Sequence, residues 1–157
     1  MRLALAQLRK LKFPYVCEED IDLSDDLNGY EDIVSTKAAH VKYKITMLSD
    51  SKYMIHMDIL IDIVLESAIS LKHIDHTISC SSDEIYMQEP PFESDINPID
   101  LQTLDTKDAV VTNILCEKPM RTIIDGEEFE SGDDVLNKEE DTEKVNPAFA
   151  SLKDLLK

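Results

Sequence analysis

Ile55-His56-Met57-Asp58-Ile59-Leu60-Ile61-Asp62-Ile63-Val64-Leu65 decides the fold class. Ile55, Met57, Ile59, Ile61, Ile63 and Leu65 recur at every second position, and His56, Asp58 and Asp62 fall between them. A period of two puts the first set on one face of an extended chain, so the segment is a long strand with one buried and one wet face. Upstream, Val41, Tyr43, Ile45 and Met47 alternate with Lys42, Lys44 and Thr46. The connection Leu48-Ser49-Asp50-Ser51-Lys52 has turn composition, which predicts a hairpin. Downstream, a less regular strand is expected over about 71–80, with Ile74, Ile78 and Cys80 on one side, followed by the shorter stretch Glu84-Ile85-Tyr86-Met87. The result is an antiparallel meander, with closure into a barrel left open.

Past Pro90-Pro91 and Asn97-Pro98 the spacing changes. Leu104, Ala109, Val110, Ile114 and Leu115 follow a helical period, Thr106 stands at an N-cap position, Asp108 lies in the first turn, and Pro119 ends the run. A helix over about 107–117 follows. The fold class is therefore α+β, an antiparallel sheet with one packed helix, in a single domain over 1–124. After Ile124 the chain turns acidic, contains Gly126 and Gly132 and loses apolar periodicity, so 125–144 is expected to be a flexible linker. Over 145–157, Asn146 as N-cap and Pro147 at the first helical position open a short amphipathic helix carrying Phe149, Leu152, Leu155 and Leu156 on one stripe. A helix of about ten residues is not stable alone and needs a surface to dock on.

The length of 157 residues suits one domain, and 43% hydrophobic residues suffice for its core. Asp58, Asp62 and Glu66 interrupt the most apolar stretch, so a spanning helix is not expected. The opening residues hold too short an apolar run before Arg9 for a signal peptide, and a cytoplasmic location is expected. Cys17, Cys80 and Cys116 are far apart and odd in number, which suits reduced thiols rather than a disulfide framework.

The net charge of −17 is concentrated in two blocks. Residues 18–32 hold Glu18, Glu19, Asp20, Asp22, Asp25, Asp26, Glu31 and Asp32 with no Lys or Arg. Residues 125–144 hold Asp125, Glu127, Glu128, Glu130, Asp133, Asp134, Glu139, Glu140, Asp141 and Glu143 against Lys138 and Lys144. Nucleic-acid affinity comes largely from cations that displace phosphate counterions, so tight RNA binding is disfavoured. Such blocks either attract a basic protein and speed its encounter or serve as solvated loops.

His73, His76 and Cys80 have a spacing that holds zinc on a helix. On a strand, His76 and Cys80 share a face while His73 points the other way, and a fourth ligand is missing, so no metal site is expected. The chain has no Gly-rich phosphate loop and no nucleophile motif, and Asp58 and Asp62 fit the wet face of a strand. No catalytic residue, cofactor or small-molecule substrate is expected.

The opening Leu3-Ala4-Leu5-Ala6-Gln7-Leu8-Arg9-Lys10-Leu11, the hairpin ending at Leu65, the helix running into Cys116-Glu117-Lys118-Pro119-Met120, and the close Val145-Asn146-Pro147-Ala148-Phe149-Ala150-Ser151-Leu152-Lys153-Asp154-Leu155-Leu156 together resemble the YceD family, the large-ribosomal-RNA-accumulation family. The resemblance covers nearly the whole chain. Its most specific piece is the close, similar to the family's Asp-Pro-Arg followed by Leu-x-x-Leu-Leu. Many members carry Cys-x-x-Cys just after the long strand, where this chain has Ser67-Ala68-Ile69-Ser70, and many carry a cysteine-rich tail where it has the acidic 125–144. The family's usual Arg after the Asn/Asp-Pro pair is Ala148 here.

The resemblance implies a non-enzymatic factor in large-subunit ribosomal RNA accumulation. Combined with the charge, it leads to the expectation of a basic ribosomal or assembly protein as partner, engaged through Glu127, Glu128, Asp133, Asp134, Phe149, Leu152 and Leu155, with rRNA contact indirect or weak and no membrane contact. The alternative is direct RNA binding by the basic edge Arg2, Arg9, Lys10 and Lys12, with Lys42 and Lys44 on an outer strand face.

Overall fold

The computed structural model describes residues 1–124, apart from Glu93 and Leu101, together with Gly126. The expected linker over 125–144 and helix over 145–157 lie outside the described residues, as do Glu127, Glu128, Asp133, Asp134, Phe149, Leu152 and Leu155. In chain order the elements are β1 (Arg2–Ala4), α1 (Leu5–Leu8), β2 (Tyr15–Ile21), α2 (Ser24–Leu27), β3 (Ile33–Thr36), β4 (Ala39–Ser49) and β5 (Lys52–Glu66). They continue with β6 (His73–Met87), β7 (Asn97–Pro98), β8 (Thr103–Asp105) and α3 (Lys107–Glu117).

The long alternating segment is β5, the centre of an α+β fold. It pairs antiparallel with β4 from Ser49↔Lys52 to His40↔Leu60 and with β6 from Lys52↔Met87 to Glu66↔His73. Beyond Leu60 the β4 side of β5 passes to β3, which pairs Ile33↔Leu65 and Thr36↔Ile63, so β3 and β4 lie along one line with a break between them. The sheet order is β2-β4-β5-β6-β7 with β3 beside β5, and it does not close into a barrel. In place of a short strand after a gap, β6 is one strand of 15 residues. Ser81, Ser82 and Asp83 continue it because β5 is equally long and runs beside them, opposite Asp58, Met57 and His56.

Alternation sends Tyr53, Ile55, Met57, Ile59, Ile61, Ile63 and Leu65 of β5 and Ala39, Val41, Tyr43 and Ile45 of β4 into the core. Val110 and Ile114 of α3 are buried in the same cluster, with Leu5 and Leu8 of α1 and Leu23 and Leu27 around α2. The opening segment is tied to this core by β1, which pairs with β8 from Arg2↔Asp105 to Ala4↔Thr103.

Thr106 does occupy the N-cap position of α3, but its hydroxyl makes no capping bond. The first-turn N–H of Lys107 is taken by Asp105 Oδ1 at 3.0 Å. The Thr106 hydroxyl is drawn into a buried knot: it accepts from the Met1 nitrogen at 2.9 Å and lies 3.2 Å from both the Met1 carbonyl and the Tyr43 hydroxyl. The Met1 nitrogen also donates to Tyr43 at 3.1 Å and sits 3.4 Å from Glu19, the one acid of β2 on the core side.

Tyr43 is 1% exposed, and burial pushes its phenol up to about 12 despite the bond with Thr106. Burial, with help from the Glu84 carboxylate, also raises Tyr86. An acid whose folded-state pKa lies above the unfolded value stabilises the fold fully below the unfolded value, and that stabilisation is lost as pH rises towards the folded one. Urea unfolding at about pH 9 and about pH 11 is therefore expected to show stability falling across the interval, with a limiting slope of about 1.4 kcal/mol per pH unit for each buried phenol. Substitution of Tyr43 by Phe removes its share of the slope.

Candidate functional site

The face of the sheet opposite the core carries a ladder of mostly polar side chains in register, with Val16 and Leu60 exposed among them. Glu18, Lys42, Asp58 and Ser81 form one rung across β2, β4, β5 and β6, and Val16, Lys44, His56 and Asp83 form the next. A third rung is Asp20, His40, Leu60 and Ser79. Residues directly opposite on one face are within side-chain reach, so opposite charges placed there attract. Lys42 Nζ lies 3.3 Å from Glu18 Oε1. His40 is held between Asp20, at 2.7 Å from Nδ1, and Glu18, at 3.7 Å from Nε2. His56 is held between Asp83, at 2.8 Å from Nδ1, and Asp58, at 3.4 Å from Nε2.

Asp62 accepts from Lys37 Nζ at 3.0 Å and Thr77 Oγ1 at 2.8 Å. The Thr77 hydroxyl, followed by Lys37, lowers its carboxyl below the usual range. Both Asp58 and Asp62 are exposed, as a wet strand face requires. Around Asp62 lies a shallow depression of about 370 Å³ reached by Lys37, Asp75, His76 and Thr77.

Within β6, His76 and Cys80 lie on the half-buried side with Ile78, and His73 is exposed on the other. Among the described residues no group of three or more His, Cys, Asp or Glu is placed to hold a metal. Ser67 and Ser70, at the positions matched to the family's Cys-x-x-Cys, shape the turn between β5 and β6, where the Ser67 hydroxyl accepts from the backbone N–H of Ile69 at 3.3 Å and of Ser70 at 3.4 Å. Burial pushes the Cys17 and Cys80 thiols up, the carboxylates of Glu19 and Glu117 adding to it, while Cys116 is exposed on α3. A maleimide is expected to label Cys116 at least about tenfold faster than either of the others at neutral pH, since exposure and thiolate content set the rate. Peptide mapping after brief labelling reads the order.

Of the basic edge, Arg2 faces Asp105 at 3.8 Å, and Arg9, Lys10 and Lys12 are exposed around and beyond the end of α1. Lys42 is engaged with Glu18 and belongs to the ladder. The acidic block 18–32 is partly ordered structure, with Glu18, Glu19 and Asp20 in β2 and Asp25 and Asp26 in α2. Alternating Tyr15, Cys17 and Ile21 carried the signal for β2, and Glu19 broke the pattern.

No family model, curated protein or solved structure matches this chain. Among the described residues no helix is long and apolar enough to cross a membrane.

Proposed function

We propose that the protein is a non-enzymatic cytoplasmic factor in large-subunit ribosomal RNA accumulation and ribosome assembly, acting by contact with a basic ribosomal or assembly protein. The observation that carries this reading is the outer sheet face, where Glu18, Asp20, Asp58, Asp62, Asp75 and Asp83 stand against Lys37, Lys42 and Lys44. A face of that sign attracts a cationic protein and repels a phosphate backbone. The resemblance to the YceD family supplies the ribosomal side of the reading. In this reading Glu127, Glu128, Asp133 and Asp134, with the stripe Phe149, Leu152 and Leu155, extend the partner surface.

The test is a pull-down of the tagged protein from bacterial lysate, with and without nuclease, read by mass spectrometry. One basic ribosomal or assembly protein retained after nuclease is the expected result. Ribosomal proteins recovered in bulk and lost on nuclease treatment would overturn it. Arg9, Lys10 and Lys12 have no ion-pair partner among the described residues, and this favours a second reading, direct RNA contact at that edge. That reading requires rRNA binding with a steep salt slope, lost when the three are neutralised.

A further inference from the structure

The two long sides of β6 differ. One side is paired with β5 along its whole length, whereas on the other β7 meets only Tyr86 and Met87. The backbone N–H of Ser67 bonds to the Lys72 carbonyl, and antiparallel pairs alternate between bonded and non-bonded, so the even-numbered residues of β6 bond to β5. The N–H and C=O groups of His73, Asp75, Thr77, Ser79, Ser81 and Asp83 then point away from β5. At the far end the same parity is visible, where the Met87 carbonyl accepts from the Ile99 N–H at 2.9 Å. Among the described residues no strand takes up these six.

Edges are protected by charged side chains, Lys above all, or by Pro, a bulge or short length. β6 runs 15 residues in unbroken register against β5 and contains no Pro, Gly, Lys or Arg, and its charged side chains besides His are the acids Asp75, Asp83 and Glu84. Its centre, Thr77-Ile78-Ser79-Cys80-Ser81-Ser82, carries small or β-branched side chains and no charge, with Asp75 at one end and Asp83 at the other. Both acids are on the outer face, and Asp75 has no ion-pair partner among the described residues. On the same face, the neighbouring β5 row adds Asp58 and Asp62.

We propose that this edge binds an extended basic segment of a partner protein as an added antiparallel strand, main-chain bonds supplying affinity and cations near Asp75 and Asp83 supplying register. The two carboxylates are eight residues apart, about 26 Å along a strand. The segment it takes is therefore about nine residues, with Lys or Arg at both ends and no Pro between. This rests on the proposed function, of which it is the binding mode.

The probe is a nine-residue peptide of alternating Thr and Val with Lys at both ends and at the centre, and its control has Glu in the Lys positions. Hydrogen exchange of the full chain is followed residue by residue. The amides of Thr77, Ser79 and Ser81 are expected to exchange quickly in the free protein and to slow at least tenfold with the Lys peptide, but not with the Glu peptide. Ser79→Pro removes an outward N–H without breaking the ladder to β5 and is expected to weaken peptide binding at least tenfold. Reversing the exposed charges with Asp75→Lys and Asp83→Lys gives the same loss by a route that spares the backbone.

Slow exchange at those amides in the protein alone would mean that the edge is already occupied, and would overturn the proposal. Peptide binding unchanged in both variants would do so as well. In the pull-down, a basic protein retained equally by wild type and Ser79→Pro would overturn the edge as its site while leaving the proposed function intact. Loss of all partners on nuclease treatment of the wild type would instead remove the function itself.

Discussion

Ile61→Ala is expected to lower the free energy of unfolding by about 2–5 kcal/mol, the cost of deleting a buried aliphatic side chain and leaving a cavity. Ile61 is 1% exposed in β5, opposite Ile78 of β6, and lies within the core cluster, whose packed neighbours keep the site from collapsing around the smaller residue. Leu60, its neighbour in the chain, is 47% exposed on the outer face, and Leu60→Ala is expected to cost below about 1 kcal/mol. Urea midpoints for the two variants measure the difference between the faces directly. Equal losses would mean that the sheet is covered on both sides.

The second large effect is at the knot between Met1, Tyr43 and Thr106. Tyr43→Phe keeps the ring in place but removes a hydroxyl that the Met1 nitrogen and Thr106 both use. Polar groups left short of a partner in a buried place cost about 1–3 kcal/mol. Thr106→Val is expected to cost a similar amount, since the Met1 nitrogen loses its 2.9 Å acceptor. The double variant is then expected to lose less than the two single losses added together, because each substitution already disables bonds that the other shares. Strict additivity in a double-mutant cycle would show that the three groups do not act together.

β4, β5 and α3 were legible because their burial is one-sided and regular: Val41, Tyr43 and Ile45 at a period of two, Val110 and Ile114 at a helical one. β6 was harder, since its core side carries His76, Ser82 and Glu84 among Ile78 and Tyr86, and near the rim of a sheet half-burial tolerates polar side chains. β1 and β8 left no local trace, being three residues each and defined only by one another. The polar ladder was visible residue by residue but not as an arrangement. That Lys42 stands between Glu18 and Asp58 depends on the register of three strands, and β2 had to be recognised first.

The pairing of β1 with β8 has a consequence for the order of assembly. β4, β5 and β6 follow one another through short turns, so each hairpin closes a small loop and forms early. Arg2 meets Asp105 only across about a hundred residues of intervening chain, which makes its closure the most entropically demanding in the sheet system. β1 has no partner until β8 emerges, and its pairing is expected to follow the hairpins.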